Sequence, residues 1–306
     1  MPHSSRFLDP DTLARLRGLG LRARGVTAGF LSGMHRSPYH GFSVEFAEHR
    51  QYVVGDDLRY IDWRIFGRAD RFYIKEYEEE TNLRCNLLVD ASRSMAYTGA
   101  AANGVSKFEF AARMAASLAY VLVSQQDAPG LLTFDSQPRA RRPAATGRPH
   151  LVELVGLLER TQPAGVSDVK ALLHRLAEEI ERRSMVVLLS DLLAPPEDVL
   201  SGIEHICYAG HEVIVFHVLD DDEWHFPFVE YTQFEGLETD ERLLADPQSL
   251  REGYLAALER YSTDLRRVCL KHRADYVPVN TKASVDAVLS AYLARRAGRL
   301  GGAARA

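Results

Sequence analysis

Asp90-x-Ser92-x-Ser94 sets one carboxylate and two hydroxyls at alternate positions, directly after the apolar run Cys85-Asn86-Leu87-Leu88-Val89. Side chains alternate along an extended segment, so residues 90, 92 and 94 can converge on one side of the turn that ends a buried strand. Hard divalent cations such as Mg²⁺ prefer all-oxygen ligands of this kind. In an open α/β sheet, ligands bind at the carboxyl ends of the strands. Two further oxygen sets stand at comparable points: Ser167-Asp168 ahead of a helical stripe from Val169, and Ser190-Asp191 closing the run Met185–Leu189. Asp90, Ser92, Ser94, Ser167 and Asp191 would then meet at one sheet edge. They would hold Mg²⁺ or Mn²⁺ and leave a position open for an outside carboxylate or a water. Each residue also has a plainer role. Ser167 could be an N-cap, worth about 1 kcal/mol, although its capping-box partner would be Lys170. Asp191 could cap the helix after Pro195-Pro196, and Asp90 alone could be a turn residue.

The elements that must position these residues follow from the apolar pattern. Runs at 85–89, 131–134, 185–190, 213–219 and 276–279 are short and rich in Val, Ile and Leu, as strands buried on both faces are. Ser106-x-x-Glu109 reads as a capping box that opens a helix with Phe108, Ala111, Ala115, Leu118 and Leu122 on one face. Val169, Leu172, Leu173, Leu176 and Ile180 form a second helical stripe. Further helices are expected from Pro196 through Ile203, over about 247–271 and over about 285–296. Strand alternating with helix predicts an α/β fold, a mostly parallel sheet with helices on both faces. Before it, Leu13, Leu16, Leu19 and Leu21 suggest a brief helix broken by glycines. Residues 41–80 are crowded with charges and aromatics and read as irregular and partly β, with extended pieces at Tyr52–Val54 and Phe72–Ile74. The expected division is an N-terminal region, 1–80, packed on a main domain, 81–300, with a frayed tail, 301–306.

Bulk properties bound the function. The chain has 306 residues, 46% hydrophobic and 26% charged, ordinary for a globular protein with a normal core. A net charge of -5 argues against nucleic acid as the main partner. The three cysteines, Cys85, Cys207 and Cys269, have neither disulfide-framework nor zinc spacing and read as small buried hydrophobes. No run reaches the roughly 18 apolar residues of a membrane span, and the N-terminus lacks a signal pattern, so a cytoplasmic location is expected. Asp220-Asp221-Asp222-Glu223 reads as a solvated turn, with cation binding as the alternative. Enzyme motifs fail: Gly99 and Gly104 have P-loop spacing but are followed by Val105-Ser106, and there is no nucleophile elbow or H-E-x-x-H. A haloacid-dehalogenase nucleophile at Asp90 would need a second acid where Ser92 stands. His205, His211 and His217 straddle different elements and make a poor metal triad.

Asp90-x-Ser92-x-Ser94, Ser167 and Asp191 together resemble the metal-ion-dependent adhesion site of von Willebrand factor type A domains. Gly130–Phe134 is similar to that fold's strand before the second metal loop. A more specific resemblance is carried by Glu48-His49-Arg50-Gln51-Tyr52, Gly55-Asp56-Asp57-Leu58-Arg59-Tyr60-Ile61-Asp62-Trp63-Arg64 and Lys75-Glu76-Tyr77-Glu78-Glu79-Glu80. With these blocks the chain, over about residues 10–296, resembles the bacterial domain of unknown function 58 family. That family carries a type A-like (Rossmann-like) domain and is usually paired with a MoxR-type AAA+ ATPase. The resemblance implies that Ser92, Ser94 and Ser167 contact Mg²⁺, and that Asp90 and Asp191 act directly or through water. Type A sites usually carry Thr in the second loop; Ser167 keeps the hydroxyl but loses the methyl that restricts its rotamer, and Asp168 could substitute. Arg93 would sit near the metal or an acidic partner. The Gly55–Arg64 block reads either as salt-bridged scaffold with Trp63 buried or as a docking surface in which Tyr52, Tyr60 and Trp63 are the contact residues. The expected function is non-enzymatic, cation-dependent protein binding, with an ATPase as partner in protein maturation or assembly. The alternatives are a metal-dependent phosphoester hydrolase using Asp90 and Asp191, and a scaffold with a decayed metal site.

Overall fold

The charged, aromatic stretch folds as a unit of its own, residues 24–82, while residues 1–23, with helix α1 (Pro10–Leu16), join 83–306 in a second unit. The computed structural model describes residues 6–16, 44–53, 61–69, 71–79, 83–102, 104–180 and 183–303. By sequence, residues 1–23 group with the aromatic region. Instead α1 packs against helices of the main unit, and Arg15 pairs with Asp286 at 2.6 Å.

In the smaller unit, β1 (Val44–Gln51) and, after helix α2 (Trp63–Ala69), β2 (Tyr73–Glu79) form an antiparallel pair with an irregularity between Phe46 and Glu48. Two of the family-like blocks therefore lie side by side, Glu48 opposite Glu76 and His49 opposite Lys75. Asp62 is buried and accepts the amides of Arg64 and Ile65 at the start of α2. Phe66 stacks on Phe72, and Tyr52 and Trp63 meet Phe72 edge-on. Trp63 remains 62% exposed, so the scaffold reading with Trp63 buried is corrected. Tyr60 and residues 55–59 lie outside the described residues.

In the larger unit, β3 (Arg84–Asp90) leads through α3 (Lys107–Ser124) to β4 (Ala128–Phe134), then β5 (Pro138–Arg142) and α4 (Arg148–Arg160). The chain continues through α5 (Val169–Glu179), β6 (Met185–Ser190), α6 (Pro196–Tyr208), β7 (Glu212–Leu219) and the short α7 (Asp221–His225). A hairpin, β8 (Thr232–Glu235) and β9 (Arg242–Ala245), precedes α8 (Pro247–Lys271), β10 (Asp275–Asn280) and α9 (Val285–Ala303). Six strands form one sheet in the order β10-β7-β6-β3-β4-β5, all parallel except β5.

All five predicted apolar runs are strands of this sheet. Alternation sorts their side chains to two apolar faces. Leu87, Val89, Val187 and Phe216 pack with α1, α3, α4 and α9; Leu88, Val186, Leu188 and Val215 pack with α5, α6 and α8. The protein is thus a mostly parallel α/β sheet covered on both faces, as predicted. Strand β5 escaped prediction because Pro138-Arg139-Ala140-Arg141-Arg142 is an edge with no buried side chain. Helix α9 runs through Ala303, and the rest of the expected tail lies outside the described residues.

At the far edge of the sheet Arg296 is buried, and its guanidinium holds Asp275 on β10 and Glu212 at the start of β7; Tyr292 donates to the same Asp275. Removing one partner of a buried ion pair strands the others in low dielectric. Arg296→Ala should therefore lower unfolding free energy by about 3–5 kcal/mol, read from the urea midpoint. A shift too small to measure would show that the cluster does not hold the edge strands.

Candidate metal centre at the sheet edge

Strands β3 and β6 are neighbours in the sheet, and the crossover through α3 carries the chain to the opposite side of β3. The crevice at their carboxyl ends is therefore the topological switch point, where open α/β sheets bind ligands. Backbone hydrogen bonds draw the second loop into it. The Arg93 amide donates to the Gly165 carbonyl at 2.9 Å, and the Ala164 amide to the Ala91 carbonyl at 2.8 Å. Gly165 has φ +78°, and a Cβ there would lie 2.9 Å from the Asp135 carboxylate, so the loop is built for glycine.

The predicted oxygen donors come together. Asp90 is fully buried. Its Oδ2 accepts from Ser167 Oγ at 2.9 Å and from Ser190 Oγ at 2.6 Å, and its Oδ1 accepts the Ser92 amide at 2.9 Å. Ser92 Oγ lies 3.1 Å from Ser94 Oγ, and Ser94 hydrogen-bonds Asp191. Ser167 is not the cap of α5: Asp168 takes that position and accepts the Ala171 amide at 2.9 Å. The cap role frees the Ser167 hydroxyl for Asp90 and engages the Asp168 carboxylate, the suggested substitute. Asp191 is not a cap either, since Pro195 stands at the start of α6; Asp191 Oδ1 accepts the Leu193 amide instead. Arg93 is exposed beside this cradle. Tyr52 and Trp63 belong to the other compact unit.

Three participants, Lys107, Glu223 and Glu238, stand outside the oxygen sets read from the sequence, and Ser190, named in one of those sets, gains a partner. Lys107 is 1% exposed and donates to Asp191 Oδ2 at 2.8 Å and to Glu223 Oε1 at 2.7 Å. A cation in the first turn of a helix opposes the helix dipole; that misfit was its available signal. Glu223 comes from the acidic run, which is not a solvated turn. Asp220 caps α7 and accepts the Gly99 amide and the Thr281 hydroxyl, and Asp222 accepts the Tyr97 hydroxyl. Ser190 sits on Asp90. Glu238, at the tip of the β8–β9 hairpin, accepts the Ser167 amide at 3.1 Å through Oε2, while its Oε1 is buried without a hydrogen-bond partner.

Electrostatics follow from burial. Burial and the charge of Asp191 push the Asp90 carboxyl up to about 6. Burial alone would also raise Asp191, but the Lys107 charge and hydrogen bond outweigh it and hold Asp191 below its usual range. Burial lowers the His217 imidazole to about 4. It is therefore neutral, its Nε2–H donating to the Asp191 carbonyl at 2.9 Å and its Nδ1 accepting from Tyr276 at 2.7 Å. His205 faces His174, and His211 faces Ser184, so the three histidines do not form a cluster. Among the described residues no three His, Cys, Asp or Glu stand together as a metal group. The cradle's donors are mostly hydroxyls with two carboxylates, a chemistry that suits a hard cation and not a soft one.

The model of the family described as protein of unknown function DUF58 matches residues 48–264. The chain belongs to that family. Uncharacterized protein Rv1480 of Mycobacterium tuberculosis and uncharacterized protein Mb1516 of Mycobacterium bovis are each 28% identical to it over 301 residues, covering 96% of this chain and 93% of theirs. Two solved structures are similar at lower levels. An aerotolerance-related membrane protein from Bacteroides fragilis is 16% identical, covers 70% of this chain and 100% of its own, and has a TM-score of 0.46. The SpRpn10 VWA domain is 11% identical, covers 68% and 94%, and has a TM-score of 0.41. No helix among the described residues is long and apolar enough to cross a membrane.

Lys107→Met should leave Asp191 and Glu223 without counter-charge and lower unfolding free energy by about 3–5 kcal/mol in urea denaturation. Lys170→Met, which removes a solvent-exposed pair with Asp198, should leave the midpoint nearly unchanged. Equal midpoints for the two variants would dismiss the buried triad as a structural requirement.

Proposed function

We propose that this DUF58-family protein is a non-enzymatic, divalent-cation-dependent protein-binding module, acting in the cytoplasm as accessory to a MoxR-type AAA+ ATPase in protein maturation or assembly. One observation carries the cation reading: Ser167 Oγ, from far along the chain, lies 2.9 Å from Asp90, in a pocket shared with Ser92, Ser94 and Asp191. Asp90, Ser92, Ser94, Ser167 and Asp191 would hold Mg²⁺ or Mn²⁺. When bound, the ion supplies a Lewis-acidic position for a carboxylate from another protein. The chain's own residues do the rest. The three hydroxyls orient oxygen donors without adding charge, and Lys107 keeps Asp191 ionised and fixed. Arg93 stands exposed at the rim, where an acidic partner would meet a positive charge. The ATPase partner is carried over from the family resemblance alone.

Mg²⁺ at roughly ten times its dissociation constant should stabilise the protein by about 1.4 kcal/mol, a rise of about 2–4 °C in melting temperature, reversed by EDTA. Ser92→Ala/Ser94→Ala should abolish that rise. Affinity capture from a bacterial lysate should return one AAA+ ATPase with the wild type and lose it both with EDTA and with the double variant. A catch that EDTA and the double substitution leave unchanged removes the proposal. Phosphatase turnover with Mg²⁺ that disappears in Asp90→Ala would assign the site to hydrolysis instead.

A further inference from the structure

Glu238 meets the cradle at the backbone amide of Ser167, from a hairpin that carries none of the five predicted donors. It lies in the turn between β8 and β9, closed by the Gly236 amide donating to the Glu241 carbonyl at 2.8 Å. The base of this hairpin is anchored by rings: Phe234 packs on Phe226 and Phe228, and Phe226 on Tyr254. Opposite β8, Leu243 and Leu244 on β9 are 56% and 69% exposed, so this strand of the hairpin is open to solvent. At the tip, Glu238 Oε2 is fixed by the amide of Ser167, the residue whose hydroxyl sits on Asp90. The second oxygen, Oε1, is shut away from solvent and has no hydrogen-bond donor. Buried polar atoms are almost always partnered, and an exception calls for an explanation such as an ion. A carboxylate oxygen without a donor, on a side chain held by the backbone of the residue whose hydroxyl sits on Asp90, has its lone pairs free for a hard cation.

We infer that Glu238 is a ligand which the chain supplies to its own cation, occupying the position that a partner's carboxylate would take. The inference rests on the cation reading of the Asp90 cradle given above. The β8–β9 hairpin is then a built-in competitor: an incoming acidic side chain exchanges with Glu238, whose hairpin is separate from the six-stranded sheet.

The test uses the full chain with Mg²⁺ or Mn²⁺ alone. Glu238→Gln keeps an acceptor for the Ser167 amide but removes the charge. It should weaken Mg²⁺ binding about tenfold by calorimetry, because affinity at such sites follows ligand charge. It should also add one exchangeable water to bound Mn²⁺ by water-proton relaxation, and leave the melting temperature in EDTA no lower than wild type. Glu235→Gln, on the same hairpin with its side chain exposed, should change neither metal measure. If the wild type binds Mg²⁺ and Glu238→Gln leaves either affinity or water number unaltered, the inference is overturned while the cradle stands. A lowered melting temperature in EDTA, with metal binding intact, would make Glu238 a prop for the Ser167 loop and also overturn it. If the wild type binds neither ion, the cradle reading itself falls and this inference with it.

Discussion

The ammonium of Lys107, wedged between Asp191 and Glu223, is the interaction on which the sheet edge depends. Two carboxylates, Asp90 and Asp191, lie buried at the ends of adjacent strands and raise each other's energy. Burial penalises every charge in this region, so the arrangement persists only because one cation answers two of the acids at 2.8 and 2.7 Å. The same three side chains tie α3, the end of β6 and α7 to one another. Glu223 in turn accepts the Asp220 amide, completing the capping box of α7, and Asp220 and Asp222 secure the segment from Tyr97 to Ala100. Local cap chemistry and the charge balance of the cradle are therefore one network, not two.

Ser167 shows how a distant residue becomes part of the edge. Parallel strands bring their carboxyl ends to one side of the sheet, but that alone would leave the segment before α5 free to settle elsewhere. Two backbone hydrogen bonds, Arg93 to Gly165 and Ala164 to Ala91, join it to the loop after β3, and the Asp168 amide donates to Asp135 after β4. Asp168 then satisfies the helix end. The hydroxyl next to it, released from capping, turns to Asp90. A threonine would add a methyl that fixes this rotamer; here the Asp90 carboxylate and the backbone bracing set it instead.

The main sheet was legible in the sequence because buried parallel strands write a continuous apolar run, and each of the five runs is long enough to be recognised. Helices α3, α5, α6 and α8 were legible from caps, prolines and stripes. What escaped depended on partners that no local pattern records. Strand β5 carries three arginines and joins the sheet only by pairing with β4. Lys107 looks like an ordinary helix-start residue until Asp191 and Glu223 are set beside it. The Ser106 capping box was half right: Ser106 accepts the Glu109 amide, but the Glu109 carboxylate turns to Arg6 and Arg113. The acidic run 220–223 reads as solvated because four acids in a row normally are, yet hydroxyl, amide and ammonium donors from three other segments, 97–100, Lys107 and 280–282, engage it. Of the candidate site, the five oxygen donors are readable by type and spacing, and Ser190 by its place at a strand end, whereas Lys107, Glu223 and Glu238 are not.

Charge decides what chemistry such an edge is suited to. Asp191 shares its charge with Lys107, so Asp90 is the cradle carboxylate that no ammonium or guanidinium among the described residues answers. A divalent cation placed there would be under-neutralised by its hydroxyl-rich surroundings and would draw in one more carboxylate. Hydroxyl ligands would thus make affinity conditional: on the cation reading, the cradle would be weak alone and strong when an acid completes it. An acid from the chain and an acid from a partner would meet the same requirement, and an exchange between them would involve a hairpin that is not part of the six-stranded sheet.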